Sequence, residues 1–104
     1  MKQDKAPRER SATIRRDIIE LMKRGPVTPF DLSGLLRVSE REAIFHLAHA
    51  LETAGAKYRI ESTPAHCKSC GFVFKERRKV AKPSRCPECK ATRVEAAAYW
   101  IKSP

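Results

Sequence analysis

The stretch VTPFDLSGLLRVSEREAIFHLAHALETAG, residues 27–55, contains two helix starts and one helix stop. Thr28 is an N-cap residue whose hydroxyl can accept from an orphan backbone amide, Pro29 suits the first helical position, and Val27 with Leu32 sits at the two ends of a hydrophobic staple. These signals predict a short helix over 29–36. Ser39 with Glu42 three residues on makes a capping box, which opens a longer helix whose apolar stripe is Ile44, Leu47, Leu51 and Ala54 and which stops at Gly55. Upstream, Ile14, Ile18, Leu21 and Met22 recur at helical spacing between Ser11 and Arg24, with Arg15, Arg16 and Glu20 off the stripe, until Gly25-Pro26 ends the pattern. Three closely connected helices therefore precede any strand.

After Gly55 the period changes from helical to alternating. Tyr58 and Ile60 alternate with Lys57, Arg59 and Glu61, which predicts a strand with one buried face. Val94 to Ile101, carrying Tyr99 and Trp100, offers a second strand, although Ala96 to Ala98 would also fit a helix. All four cysteines lie between these two segments.

Cys67-Lys68-Ser69-Cys70 and Cys86-Pro87-Glu88-Cys89 enclose fifteen residues, a C-x2-C-x15-C-x2-C spacing of the kind that holds zinc. A Cys-x-x-Cys turn aims two thiolates at one point, so two turns can build a closed tetrahedral site with Zn–S of roughly 2.3 Å. A redox dithiol needs one pair in a thioredoxin-like context, and here there are two pairs and no such context. We expect one structural zinc per chain on Cys67, Cys70, Cys86 and Cys89, with iron as the alternative occupant. His66, next to Cys67, is expected to be a solvated neighbour, while Phe72 and Phe74 are placed to cover the metal. Four cysteines fill the coordination sphere, whereas a catalytic zinc keeps a position open.

The chain has 104 residues, room for one domain with at most a small appended module. It carries 22 Lys and Arg against 12 Asp and Glu, a formal charge of +10 that suits a polyanionic partner. That charge is uneven: residues 1–24 carry +4, residues 25–55 carry −2 and residues 56–104 carry +8. No apolar run is long enough for a membrane span or a secretory signal, which leads to the expectation of a cytoplasmic protein with reduced thiols. There is no Ser–His–acid set, Gly-rich phosphate loop or paired acid near a metal, so no enzyme is expected.

Helix, short helix, helix and strand in this order is the layout of a winged helix-turn-helix. The chain resembles a family of small, chiefly archaeal, predicted transcriptional regulators in which a rubredoxin-like zinc ribbon interrupts the wing. The resemblance runs from Val27-Thr28-Pro29-Phe30-Asp31-Leu32 through His46-Leu47 to Gly55, then through Pro64-Ala65-His66-Cys67, Cys70-Gly71-Phe72-Val73-Phe74-Lys75 and Lys82-Pro83-Ser84-Arg85-Cys86-Pro87, covering roughly residues 11–101. Lys90 stands where the second rubredoxin knuckle usually has Gly. The resemblance implies an α+β winged helix-turn-helix with a four-cysteine zinc ribbon inserted between the two wing strands, ligation by the four cysteines, and binding of double-stranded DNA. The expected division is a basic arm at 1–10, the winged helix-turn-helix at 11–65 and 91–104, and the ribbon at 66–90.

In helix-turn-helix proteins the face of the recognition helix turned away from the core enters the major groove. Counting about 100° per residue from Ile44 assigns Arg41, Glu42, Phe45, His46, His49, Glu52 and Thr53 to that face. Arg41 can bridge a guanine, Phe45 can meet a thymine methyl, and His46 or His49 can donate to base or phosphate. Plain exposure of the two histidines, and packing of Phe45 on the wing or a partner, are the alternatives. Because residues 25–55 are weakly acidic, affinity is assigned mainly to the ribbon cations Lys75, Arg77, Arg78, Lys79, Lys82 and Arg85. Lys2, Lys5, Arg8 and Arg10 of the arm, with Arg15 and Arg16 on phosphates, supply the rest. A merely solvated basic loop is the competing account of that run. A symmetric operator would require a homodimer. The rival function is a module that docks on transcription or translation machinery, gripping a protein or RNA through the ribbon.

Overall fold

A computed structural model describes residues 7–75 and 80–102, with side chains from Arg10 onward. Among the described residues three helices come first: α1 (Pro7–Arg24), α2 (Pro29–Leu36) and α3 (Glu40–Gly55). Four short strands follow: β1 (Ile60–Thr63), β2 (His66–Cys67), β3 (Val94–Glu95) and β4 (Ala98–Ile101). None of the described helices is long and apolar enough to cross a membrane.

At α2 and α3 the helix starts are made as the sequence requires, and more tightly, whereas α1 starts at Pro7 and not at the expected Ser11, since proline suits a first helical position. Thr28 Oγ1 accepts from the Asp31 amide at 3.1 Å while the Asp31 carboxylate accepts from the Thr28 amide at 3.2 Å, a reciprocal box at the start of α2. Ser39 and Glu42 repeat that arrangement at α3, at 3.0 and 3.4 Å. Between the two helices Arg37 turns the chain in the left-handed region at φ 58°, its amide donating to the Ser33 carbonyl. The Ser33 hydroxyl donates to the Val38 carbonyl at 2.6 Å, and Val38 is buried. The turn of the helix-turn-helix is thus held at both ends by side chains.

The core gathers Ile14, Ile18 and Met22 of α1, Leu32 of α2, Ala43, Leu47, Ala50 and Ala54 of α3, with Val27, Val38 and Ile101 closing it. This corrects the expected stripe on α3. Leu47 and Ala54 are buried as predicted, but Ile44 and Leu51 lie half-buried on one flank and the stripe runs through Ala43 and Ala50. The rotation has a packing reason, since alanines at the contact let the α3 backbone come close to α1 and α2. It carries His46 inward: that side chain is 6 % exposed, not on the outer face where the count from Ile44 set it.

Strands β1 and β4 pair antiparallel, Ile60 opposite Ile101 and Thr63 opposite Ala98. Val27 joins this ladder, exchanging both backbone hydrogen bonds with Tyr99 at 2.9 and 3.0 Å and so tying the wing to the start of α2. Strands β2 and β3 pair antiparallel in the same register, His66 opposite Glu95 and Cys67 opposite Val94. The single strand expected over Val94–Ile101 is therefore interrupted at Ala96-Ala97. Opposite that break stand Pro64, which has no amide to donate, and Ala65, whose carbonyl accepts from Phe74 at 2.9 Å. The first wing strand also begins later than predicted, at Ile60. Tyr58 is 38 % exposed, with the Lys23 ammonium 5.0 Å from its ring centre. Three helices followed by a small wing that holds four cysteines make a winged helix-turn-helix with a zinc-ribbon arrangement, as the sequence leads one to expect.

Candidate metal centre

Both cysteine turns are built by one backbone pattern. The Gly71 amide donates to the Cys67 carbonyl and the Cys67 amide to the Phe72 carbonyl, at 2.9 and 2.8 Å. In the second turn the Lys90 amide donates to the Cys86 carbonyl and the Cys86 amide to the Ala91 carbonyl, both at 2.9 Å. Amides then aim at sulfur: Ser69 donates to Cys67 Sγ at 3.3 Å, and Glu88 to Cys86 Sγ at 3.4 Å. Donors fixed in this way favour thiolate over thiol.

The Sγ atoms of Cys67, Cys70, Cys86 and Cys89 all lie within 4.8 Å of one another. Cys67 and Cys89 approach to 3.6 Å, as do Cys70 and Cys86, so the close contacts run between the turns. A tetrahedron with metal–sulfur bonds of roughly 2.3 Å has edges of about 3.8 Å, whereas a disulfide would bring sulfurs to about 2 Å. The cysteines are free and the cluster can chelate one tetrahedral ion, with Cys67 and Cys86 buried and Cys70 and Cys89 on the exposed side. His66 belongs to β2 and is not part of the cluster. Phe72 lines the surface hollow beside Cys70 and Cys89, and Phe74 meets it edge to face at 5.0 Å.

Taken without an ion, the thiols of Cys67, Cys70 and Cys89 are shifted in different directions. Amide donation from Cys70 and then Ser69, opposed by burial, brings Cys67 down to about 6. At Cys70 donation from the Phe72 amide pulls downward, but burial and the three neighbouring sulfurs outweigh it and push the thiol up to about 12. Cys89 goes up in the same way against donation from Ala91, through burial and the neighbouring Cys67 sulfur. A bound cation would overcome this mutual repulsion, which is why four thiolates and a divalent ion suit each other. Sequence reasoning finds the four clustered cysteines from their spacing, but not the sulfur-directed amides of Ser69 and Glu88, which depend on the turn and not on side-chain identity.

The residues singled out for nucleic acid are spread over two regions. On α3, Arg41 is exposed and Phe45 is 54 % exposed, meeting the rings of His49 at 4.7 Å and His46 at 5.3 Å. The outward face is therefore Arg41, Phe45, Ala48 and Glu52, with His49 half-buried at its edge. Arg15 is half-buried beside His46 and Arg16 is exposed. Lys75, Lys82 and Arg85 are exposed on the segment between the cysteine turns. Arg77, Arg78 and Lys79, the side chain of Arg8, and Lys2 and Lys5 lie outside the described residues.

A family model described as the PF0610 rubredoxin-like zinc beta-ribbon domain matches residues 64–104. No curated protein matches the chain. The solution NMR structure of protein PF0610 from Pyrococcus furiosus is similar with a TM-score of 0.72 and 30 % sequence identity, over 90 % of this chain and 92 % of that one. A zinc-ribbon protein built on a winged helix is not a catalytic fold. With fold and sequence alike over 90 % of this chain and 92 % of that one, this chain belongs to the PF0610 family of small zinc-ribbon proteins.

Proposed function

We propose that the chain is a metal-stabilised protein that binds double-stranded DNA, acting as a transcriptional regulator in the cytoplasm. The observation that carries this reading is the capped α2–α3 unit with Arg41 and Phe45 on its outer side and His49 half-buried at the edge of that face, in a chain of formal charge +10. Arg41 and Phe45 read base edges, Arg15 and Arg16 lie on phosphates beside α3, and the ribbon cations Lys75, Arg77, Arg78, Lys79, Lys82 and Arg85 follow the backbone. A zinc ion on the four cysteines holds the ribbon in shape and takes no part in chemistry, with iron as the other candidate. Elemental analysis of protein purified without chelator identifies the ion.

A mobility-shift titration on genomic fragments, random duplex and RNA tests the reading. Fragment-selective duplex binding is expected, with a slope of log K against log salt that falls by about 1 for each phosphate contact removed. Neutralising Arg77, Arg78 and Lys79 together should flatten that slope. Equal affinity for every nucleic acid, or an unchanged slope, would sink the assignment. A second reading, docking on a protein partner, is favoured by Phe30, Leu35 and Phe45, which are 73 %, 63 % and 54 % exposed. It predicts no selective shift with any duplex. A homodimer would fit a two-fold operator, and sedimentation reads it directly.

A further inference from the structure

A cavity of about 390 Å³ opens between α1 and the end of α3, on the side of the head formed by α1 and the turn into β1. That is within the range of roughly 300–1,000 Å³ that small-molecule sites occupy. Its wall carries four cations, Arg15, Arg16, Lys23 and Lys57, and a single carboxylate, Glu20. Two separate stretches of chain bring them together. Arg15, Arg16 and Lys23 come from one face of α1, whereas Lys57 is placed by the turn that follows α3. In that turn the amides of Lys57 and Tyr58 both donate to the Ala54 carbonyl, at 3.0 and 2.7 Å.

Glu20 is engaged with Lys23 at 3.1 Å, and the same ammonium lies 5.0 Å from the centre of the Tyr58 ring. Among the described residues no carboxylate lies in ion-pair range of Arg15, Arg16 or Lys57. Arg15 Nε is, in addition, buried with no hydrogen-bond acceptor. Charge-assisted bonds to an anion are the strongest that the guanidinium and ammonium groups of this wall can make. Thr53 adds a hydroxyl, and Ala12 and Ile19 give the floor an apolar part.

We propose that this cavity is a phosphate-binding site. Two guanidiniums and an unpaired ammonium converging from different elements match a tetrahedral dianion better than a planar carboxylate, which has fewer acceptor directions. The ligand is a phosphate group, borne either by a free small molecule or by a nucleic-acid strand. The site shares Arg15 and Arg16 with the DNA contacts proposed above and rests on that reading only where a strand supplies the phosphate, so a response to free phosphate without selective duplex binding upholds the site while the DNA reading fails.

The test is a titration of metal-loaded, full-length protein followed through the backbone amide resonances of Thr53, Lys57 and Tyr58. Three probes are used: inorganic phosphate, adenosine 5′-monophosphate and a short random duplex. Saturable shifts of those amides are expected, weakened about tenfold or more in an Arg16→Ala, Lys57→Ala double variant. Both residues are exposed, and far-ultraviolet dichroism verifies that the double variant keeps its helices. Shifts with the free phosphates identify a small-ligand site, and shifts at the same amides with the duplex alone identify the strand as the source. Arg93→Ala removes an exposed cation outside the cavity and is expected to change affinity less than twofold, roughly the loss of one screened surface charge. No saturable shift with any probe, or a loss in Arg93→Ala as large as in the double variant, overturns the proposal.

Discussion

Gly71 and Lys90 occupy equivalent places, each directly after the second cysteine of its turn, and both have positive φ, 83° and 65°. Only one of them is a glycine. The bend is what lets the following amide reach sulfur, so Lys90 adopts it despite its Cβ. For an ordinary residue the left-handed region costs roughly 1–2 kcal/mol, part of which a glycine returns as unfolded-state entropy. Lys90→Gly is therefore expected to raise stability by about 0.5–1 kcal/mol in denaturant titrations of the metal-loaded protein. Gly71→Ala should lower it by a similar amount, although an added Cβ meets no atom within 4 Å. Equal stabilities for Lys90→Gly and the parent would show that the bend carries no strain.

His46 gives the protein a pH dependence. Burial first, and then the charge of Arg15, lower its pKa below the ordinary 6.5, with His49 and Arg10 acting in the same sense and Glu42 against them. The folded state thus holds the neutral ring while the unfolded chain takes up a proton more readily. Stability is fully present above the unfolded pKa of about 6.5 and is lost as pH falls from there toward the depressed folded value. Urea midpoints from pH 8 to pH 5 should decline over that window in the parent and decline less in His46→Phe. Parallel profiles for the two proteins would rule out His46 as the cause.

Removing the metal should divide the molecule. The core of the three helices is closed by Val27 and Ile101 and takes from the segment between the cysteine turns only the flanking contact of Val80 among the described residues, whereas β2 and β3 pair over two residues each and cannot stand alone. A chelator is expected to leave most helical dichroism in place while the amides of Cys67, Phe74, Cys86 and Val94 lose exchange protection. Ion binding should also release the protons of Cys70 and Cys89, whose thiols are raised, and below about pH 6 that of Cys67 as well. Affinity for the ion then rises with pH, more steeply below about 6, and calorimetry in buffers of different ionisation enthalpy counts the protons. Cooperative loss of the helices with the ribbon would contradict this division.

How far the sequence could be read depended on whether a signal was local. The caps at Thr28 and Ser39 and the cysteine turns are short-range chemistry, and the structure follows them. The rotation of α3 was not local. Alanine counts for little on an apolar scale, so Ile44 and Leu51 drew the stripe toward themselves, while close packing against α1 rewards Ala43 and Ala50. His46 went to the interior as a consequence. The break in the wing likewise needed both strands, because Pro64 interrupts Ala97 only when the register sets them opposite.

The rotation of α3 also determines which substitutions separate function from folding. Leu47 is wholly buried, so Leu47→Ala should cost about 2–5 kcal/mol and reduce any binding only through the fraction folded. Arg41 is exposed, so Arg41→Ala should shift stability by less than about 0.5 kcal/mol, whereas Phe45, 54 % exposed but in edge contact with the His46 and His49 rings, should cost about 0.5–1.5 kcal/mol on truncation to alanine, still below Leu47→Ala. If α3 reads bases, Arg41→Ala should cost roughly 1–3 kcal/mol on a preferred fragment and much less on random duplex. Phe45→Ala should behave in the same way when its contact is a thymine methyl. If the face meets a protein, both variants leave every duplex titration unchanged and Phe45→Ala alone weakens the partner, since an exposed aromatic ring is a stronger anchor there than a single cation.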